Sequence, residues 1–307
     1  MYIMNDFTLI PFNNIVKFGQ TTMLEQPLFN VSWILGRFCN YSCSYCWPYA
    51  NSNVPDHQDF EVYTNAIDEI KRQARENGFT DFHFSFSGGE PTAYKKFGDL
   101  VEYYANDNEA KYQSIHLTTN LSPGEKWWAR FINNTSHLTR RSITASYHAE
   151  FANEKDFEDR CLQLMEGGVF VTINQVMVPE YFEEYYERCS RFADKGINVT
   201  LKPQSDPTAS RIVDGYTNEQ IDKLQTGFPQ NWNGEQIMQM YLEDAKGNDY
   251  GLDQAERMNA FNFNKFKDWH CNAGYQSCII RGDEVKRAYS CSAVSYTHLR
   301  AHETFGY

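Results

Sequence analysis

The sequence predicts an α/β protein whose sheet is parallel and stays open. Three observations carry that expectation. Strand-length apolar or alternating segments take turns with longer segments at helical spacing. Six such strand–helix units follow one another between Val31 and Lys202, and right-handed crossovers would join them into one parallel sheet. Closing that sheet into a barrel takes eight strands, so six leave it open.

The elements follow in order. Val31–Leu35 is an apolar run and the first strand. Phe60–Asn77 reads as a helix, with Val62, Ala66, Ile67, Ile70 and Ala74 as an apolar stripe and Asn77-Gly78 as its stop. Asp81–Ser87 alternates as a strand, and Phe97–Tyr104 follows as a helix with Leu100, Val101 and Tyr104 on one side. Ser114–Thr119 is the third strand; Glu125–Ile132 is a helix behind the cap and first turn Ser122-Pro123. Ser142–Tyr147 is a strand, Asp156–Glu166 a helix ending at Gly167-Gly168, and Val169–Val178 a strand. Phe182–Lys195 is a helix closed by Gly196, and Ile197–Lys202 is the last strand of the run. Beyond Ser205 the periodicity weakens. Thr217–Leu224 reads as a short helix capped by Thr217, and Lys246-Gly247-Asn248 as a hairpin turn between Gln236–Leu242 and Tyr250–Leu252.

In a barrel-like α/β sheet, functional loops sit at the C-terminal strand ends. Cys39–Cys46, Gly88–Glu90, Thr118–Asn120, Ser146–His148 and Lys202–Gln204 all fall there. The first carries Cys39, Cys43 and Cys46 as C-x-x-x-C-x-x-C, three thiols within eight residues. A structural zinc site wants four ligands, usually as two separated pairs, and a redox pair Cys43/Cys46 leaves Cys39 unexplained. A 4Fe–4S cluster normally takes four cysteines; three leave one iron open for chemistry. The second loop is Ser87-Gly88-Gly89-Glu90-Pro91-Thr92. Its glycines admit close backbone approach, and the Glu90 carboxylate suits an ammonium donor; on its own the segment would also serve as an ordinary strand-to-helix turn.

The two loops together resemble the signature of the radical S-adenosylmethionine (radical SAM) superfamily. The resemblance implies an open partial (β/α)6 TIM-like barrel with a small C-terminal extension. It implies a 4Fe–4S cluster on Cys39, Cys43 and Cys46 and SAM bound through Gly88, Gly89 and Glu90. Tyr45 resembles the family's aromatic neighbour of the adenine, with loop packing as the alternative, and Ser146 resembles a ribose contact. The implied reaction is reductive cleavage of SAM to a 5′-deoxyadenosyl radical that abstracts hydrogen from a substrate, fed by a one-electron donor such as flavodoxin or ferredoxin. Thr119-Asn120 departs from the family by preceding Leu121 where a glycine is common.

Farther on, Cys271-Asn272-Ala273-Gly274, Gly282-Asp283 and Cys291 resemble the start of a SPASM or twitch extension, although the spacing from Gly282 to Cys291 is long and Cys278 is extra. That resemblance implies an auxiliary iron–sulfur cluster on Cys271 and Cys291, with buried structural cysteine as the alternative. It also favours a peptide or protein substrate over a small molecule or nucleoside; a non-catalytic iron–sulfur redox or sensor protein is the reading from another class. Cys161 and Cys189 sit in helical patterns and read as core. His83, His116 and His148 read as strand-end histidines satisfied by hydrogen bonds, with His148 also a candidate substrate contact. Residues 294–304 resemble one translated frame of a sequencing-library adapter and are set apart from the fold. The expected division is 1–30 as an N-terminal segment, 31–205 as the core, 206–263 as a connection, 264–293 as the truncated extension and 294–307 as a non-native tail.

Composition agrees with an enzyme rather than a nucleic-acid binder. A net charge of −12 gives no general basic surface. No apolar run reaches the length of a membrane span, and residues 1–19 lack the basic and apolar regions of a signal peptide. Eight cysteines without that signal point to reduced thiols in the cytoplasm.

Overall fold

The computed structural model describes residues 14–22, 28–47, 50–107, 109–110, 112–208, 211–230, 238–252, 277–281 and 284–286. They divide between two compact units, one drawn from Met1–Glu25 and Trp232–Asn272, the other from Gln26–Asn231 and Ala273–Tyr307.

The described residues of the smaller unit form an antiparallel sheet. Its strands are β1 (Ile15–Thr22), β8 (Met238–Asp244) and β9 (Asp249–Leu252), in the order β1-β8-β9. The expected hairpin turn joins β8 to β9. The Asp244 carboxylate accepts from the backbone amides of Lys246 and Asn248, each at 2.9 Å, and Gly247 takes a φ of +82° that disfavours a side chain.

The larger unit holds β2 (Leu28–Ile34), α1 (Phe60–Glu76), β3 (Asp81–Ser87), α2 (Phe97–Ala105), β4 (Gln113–Thr119), α3 (Glu125–Thr135), β5 (Arg140–Tyr147), α4 (Glu154–Glu166), β6 (Phe170–Met177), α5 (Phe182–Asp194), β7 (Asn198–Pro203) and α6 (Asn218–Thr226). Thr217 caps α6 in a capping box with Gln220. Two strands from the distal end of the chain, β10 (Ser277–Arg281) and β11 (Glu284–Lys286), complete the sheet order β11-β10-β2-β3-β4-β5-β6-β7. All neighbours pair in parallel except β10 with β11. The sheet is open, as the sequence predicts. Strand β10 is not foreseen by the sequence reading. Its Cys278, Ile279 and Ile280 are buried between β11 and β2, so this cysteine belongs to the sheet.

From β2 to β7 each strand lies beside its predecessor. With right-handed crossovers, that one-way march puts every crossover helix on the same face. The alternation of each strand follows. Phe82, Phe84 and Phe86 face the helices and are fully buried, as are Ile115, Leu117, Ile143, Ala145 and Ile173. Phe84 packs on Tyr104 of α2 with centroids 4.5 Å apart, and Tyr147 meets Phe157 of α4 at 4.9 Å. Helix α1 buries the expected stripe at Ile67 and Ala74, with Ala66 and Ile70 packed half-buried against the core, and widens it on one side. Val62 is exposed, while Tyr63, Ile67, Lys71 and Ala74 are buried. The two polar members find partners: the Tyr63 hydroxyl donates to the Leu35 carbonyl at 2.9 Å, and the Lys71 ammonium meets Asp107 at 2.8 Å.

The opposite face of the sheet is polar and half-buried. One row runs Ser32, Ser85, His116, Ser142 across adjacent strands, and another runs Ser146, Asn174, Thr200. His83 and His116 lie mid-strand here rather than at strand ends. His83 Nδ1 is 2.8 Å from Ser114 Oγ, and His116 Nδ1 is 2.8 Å from Ser142 Oγ. Burial, then His116 and Arg140, depress His83 to about 3; burial, then Arg140, depresses His116 to about 4. Both folded values lie below the unfolded one near 6.5, so the unfolded chain takes up the extra protons. Their contribution to stability is complete above that value and is lost as pH falls toward the folded values. Between pH 6.5 and 5 the loss per histidine should steepen from about 0.7 toward a limit of about 1.4 kcal/mol per pH unit. Urea unfolding across that window should give a slope that flattens in a His83→Asn/His116→Asn variant; equal slopes in the two proteins would show that the histidines are not held neutral.

Candidate metal centre

The cysteine loop begins where β2 ends. Leu35 donates to the Ser87 carbonyl at 3.0 Å and extends the β2–β3 pairing by one bond. The chain then turns at Gly36, where a Cβ would lie 2.5 Å from Asp56 Oδ1. Asp56 folds back and accepts from the backbone amides of Arg37, at 2.8 and 3.0 Å, and Phe38, at 3.0 Å. Cys39 donates to the Ser52 carbonyl at 3.2 Å, and Ser52 donates to the Arg37 carbonyl at 2.8 Å, which pins the return of the loop to its start. Cys46 closes a tight turn on the Cys43 carbonyl at 3.1 Å. Cys39 and Cys43 are half-buried, Cys46 is exposed, and all three are free thiols.

The Gly88-Gly89-Glu90 segment forms a seam with the root of this loop. The Gly89 amide donates to the Gly36 carbonyl at 2.9 Å, and the Glu90 amide to the Phe38 carbonyl at 2.8 Å. A Cβ at Gly88, whose φ is +152°, would sit 2.6 Å from the Gly36 carbonyl oxygen. At Gly89 it would lie 2.3 Å from the carbonyl oxygens of both Arg37 and Phe38. The sequence assigned these glycines to ligand approach; at these points the close approach is made by the chain's own backbone.

Glu90 is buried, 2% exposed. Its Oε1 accepts from the Thr92 amide at 2.9 Å, the Thr92 hydroxyl at 2.6 Å and the Thr119 hydroxyl at 2.8 Å. Its Oε2 accepts from the Asn120 amide at 2.6 Å. Burial pushes the carboxyl pKa up against the pull of these donors. With three donors on Oε1 and one on Oε2, the remaining acceptor capacity lies on Oε2. Asn120 also reaches the cysteine loop, its side-chain amide donating to Asn40 Oδ1 at 2.9 Å.

The loop after β5 grips the other side. The Tyr45 hydroxyl is 2.8 Å from His148 Nδ1, and the two rings stack at 6.0 Å and 25°. Tyr41 stacks on Phe151 at 5.0 Å and 16°. Glu150 accepts from Ser44, through its backbone amide at 3.0 and 3.2 Å and its hydroxyl at 2.6 Å. Burial, then Glu150, then the neighbouring thiols push Cys43 up to about 12. Burial depresses His148 to about 4, against the pull of Glu150. Ser146 lies on the polar face at the end of β5, in register with Asn174.

The β3, β4 and β5 ends therefore converge on one loop that carries three cysteines. Sequence reading proposed Cys39, Cys43, Cys46, Glu90, Tyr45 and Ser146; the structure ties the first five into the convergence and leaves Ser146 on the adjoining sheet face, and the reading missed Asp56, Asn120 as a tether, and Glu150. Glu150 was within reach of it, since it follows a strand end next to His148. Asp56 gives no sequence signal, because it acts from a loop without periodicity. Cys161 and Cys189 are fully buried in α4 and α5, as expected of core residues. Cys271, Cys291 and the segment 294–304 lie outside the described residues.

Three soft sulfur donors on one loop suit the irons of an iron–sulfur cluster. Among the described residues no group of three or more His, Cys, Asp and Glu side chains is gathered tightly enough for a single metal ion. A cluster does not require that gathering, because each thiolate takes a different iron.

A family model described as the radical SAM superfamily matches residues 33–203. Among solved structures, native anSMEcpe with bound AdoMet is 18% identical with a TM-score of 0.47, covering 65% of this chain and 58% of that one. BtrN in complex with AdoMet and 2-DOIA is 13% identical with a TM-score of 0.36, covering 66% of this chain and 83% of that one. The chain thus spans less than two thirds of the length of the anSMEcpe chain. No curated protein matches.

Proposed function

From a chain that belongs to the radical SAM superfamily, we propose an enzyme that reductively cleaves SAM. Cys39, Cys43 and Cys46 would hold a 4Fe–4S cluster, which supplies the electron when bound. Gly88, Gly89 and Glu90 would position the methionine part of SAM, with Tyr45 beside the adenine and Ser146 at the ribose. The observation that carries this reading is the seam itself: the cysteine loop and the Gly-Gly-Glu segment are bonded backbone to backbone, so the two halves of the site are one structure. Residues 31–205 would form the catalytic core, supplied by a one-electron donor such as flavodoxin or ferredoxin. The free thiols of the cysteine loop favour a reducing cytoplasm, where such a donor is met. Among the described residues, no helix is long and apolar enough to cross a membrane.

We propose a peptide or protein as substrate, on the resemblance around Cys271 and Cys291, which would also hold an auxiliary cluster. The polar sheet face, with His116, Thr144, Ser146, Asn174 and Lys202, supports a substrate rich in hydrogen-bonding groups.

Anaerobic reconstitution with iron and sulfide tests the reading. About four irons should bind per cluster site, and dithionite with SAM should release 5′-deoxyadenosine. A Cys39→Ala/Cys43→Ala/Cys46→Ala variant should lose both. Release of 5′-deoxyadenosine by that variant would sink the assignment, and iron uptake without any release in the unaltered protein would move it to a non-catalytic redox role.

A further inference from the structure

We propose that Glu150 is a positioning residue for the cysteine loop. Its carboxylate would clasp the middle of that loop before iron binds, and would lower the reduction potential of the bound cluster. The inference rests on the cluster reading above.

The clasp is built from two short segments far apart in the chain. Residues 148–151, after β5, touch residues 41, 44 and 45 through four contacts: Tyr41 on Phe151 and edge-on to His148, Ser44 on Glu150, and Tyr45 on His148. The contacted residues flank Cys43, whose thiol is itself in hydrogen-bond reach of the Tyr45 side chain. Ser44 is the centre of it, giving both its donors to one carboxylate 106 residues away. A single exposed pair of this kind would contribute little. Here the bonds are charge-assisted and shared by a backbone amide, which has no side-chain freedom to lose.

The position also matters electrically. Iron–sulfur potentials respond to the net charge around the cluster and to hydrogen bonds donated to its sulfurs. The Ser44 amide lies between two of the three proposed ligands, yet its proton is committed to Glu150. The clasp thus withdraws one donor from the cluster's surroundings and sets a negative charge beside it. Both effects lower the potential and make the reduced cluster a stronger reductant.

Glu150 is exposed, so its replacement leaves the core intact. Amide hydrogen exchange on the metal-free protein reads the clasp alone. Glu150→Ala should speed exchange at Ser44 roughly tenfold or more, the range expected when a bond to a charged group is lost. Redox titration of the reconstituted protein, followed by electron paramagnetic resonance without SAM, reads the charge. Glu150→Gln should keep the iron content and move the midpoint to a less negative value. Unchanged Ser44 exchange in Glu150→Ala overturns the clasp, and a Glu150→Gln midpoint equal to or below that of the unaltered protein overturns the tuning. If the unaltered protein takes up no iron, the cluster reading falls and the tuning with it, while the exchange measurement still decides the clasp.

Discussion

Gly89→Ala should disrupt the proposed metal centre while leaving most of the sheet in place. The added Cβ would lie 2.3 Å from two carbonyl oxygens, of Arg37 and Phe38, and neither can yield as the tip of a flexible side chain would. The seam must open. Opening it breaks the Gly89–Gly36 and Glu90–Phe38 bonds, about 1 kcal/mol each, and adds an overpacking cost of about 1–3 kcal/mol. The sum is about 3–5 kcal/mol, worth roughly 6–20 °C in Tm for a chain of this size class. Iron uptake should fall with it, because Cys39 follows directly on the displaced carbonyls. Gly124→Ala is the control: a Cβ there meets nothing, so Tm and iron content should hold. A Gly89→Ala protein that melts normally and takes up its full iron would mean that the two loops are not coupled.

That coupling marks the boundary of what the sequence makes legible. The strands could be read because burial on one face leaves a period of two, as in Phe82, Phe84 and Phe86. The three cysteines and Glu90 could be singled out because the family resemblance rests on residue type and spacing. What could not be read are contacts between strand ends distant in sequence, such as Asn40 with Asn120 or Ser44 with Glu150. Strand β10 was hidden for another reason. It is a five-residue run between β11 and β2, and its cysteine stood out only as extra to the neighbouring metal spacing. Tyr63 and Lys71 were left out of the stripe on α1 because they are polar by type, yet they are buried and satisfied in place.

Leu121 shows how a departure from a family pattern carries structural information. The sequence has leucine where the family commonly has glycine, and the structure gives that residue a φ of +55°. A left-handed leucine costs roughly 1–2 kcal/mol. It is fully buried, and burying a leucine side chain returns about 1.5–3 kcal/mol. Its carbonyl accepts from Arg160 at 2.9 Å, which holds the strained turn directly behind Asn120 and Thr119, two of the donors to Glu90.

Glu90→Gln should therefore weaken the protein even before any ligand is added. Each carboxylate oxygen already accepts a backbone amide, Thr92 on Oε1 and Asn120 on Oε2. The threonine hydroxyls can rotate away from a new donor, but the two backbone amides cannot. A glutamine must turn its NH2 toward one of them, so one buried donor loses its acceptor in either orientation. The cost should be about 1–3 kcal/mol in the metal-free protein, read as a lower Tm. SAM binding should weaken as well, since the free capacity of Oε2 is what the proposed ammonium contact would use. Losing a bond between two charged groups at about 1.5–3 kcal/mol corresponds to roughly a tenfold to hundredfold rise in Kd. Calorimetry with SAM on the reconstituted variant, at matched iron content, separates the two effects. An unchanged Tm would mean that the four donors do not depend on the carboxylate, and an unchanged Kd would limit Glu90 to holding the strand ends together.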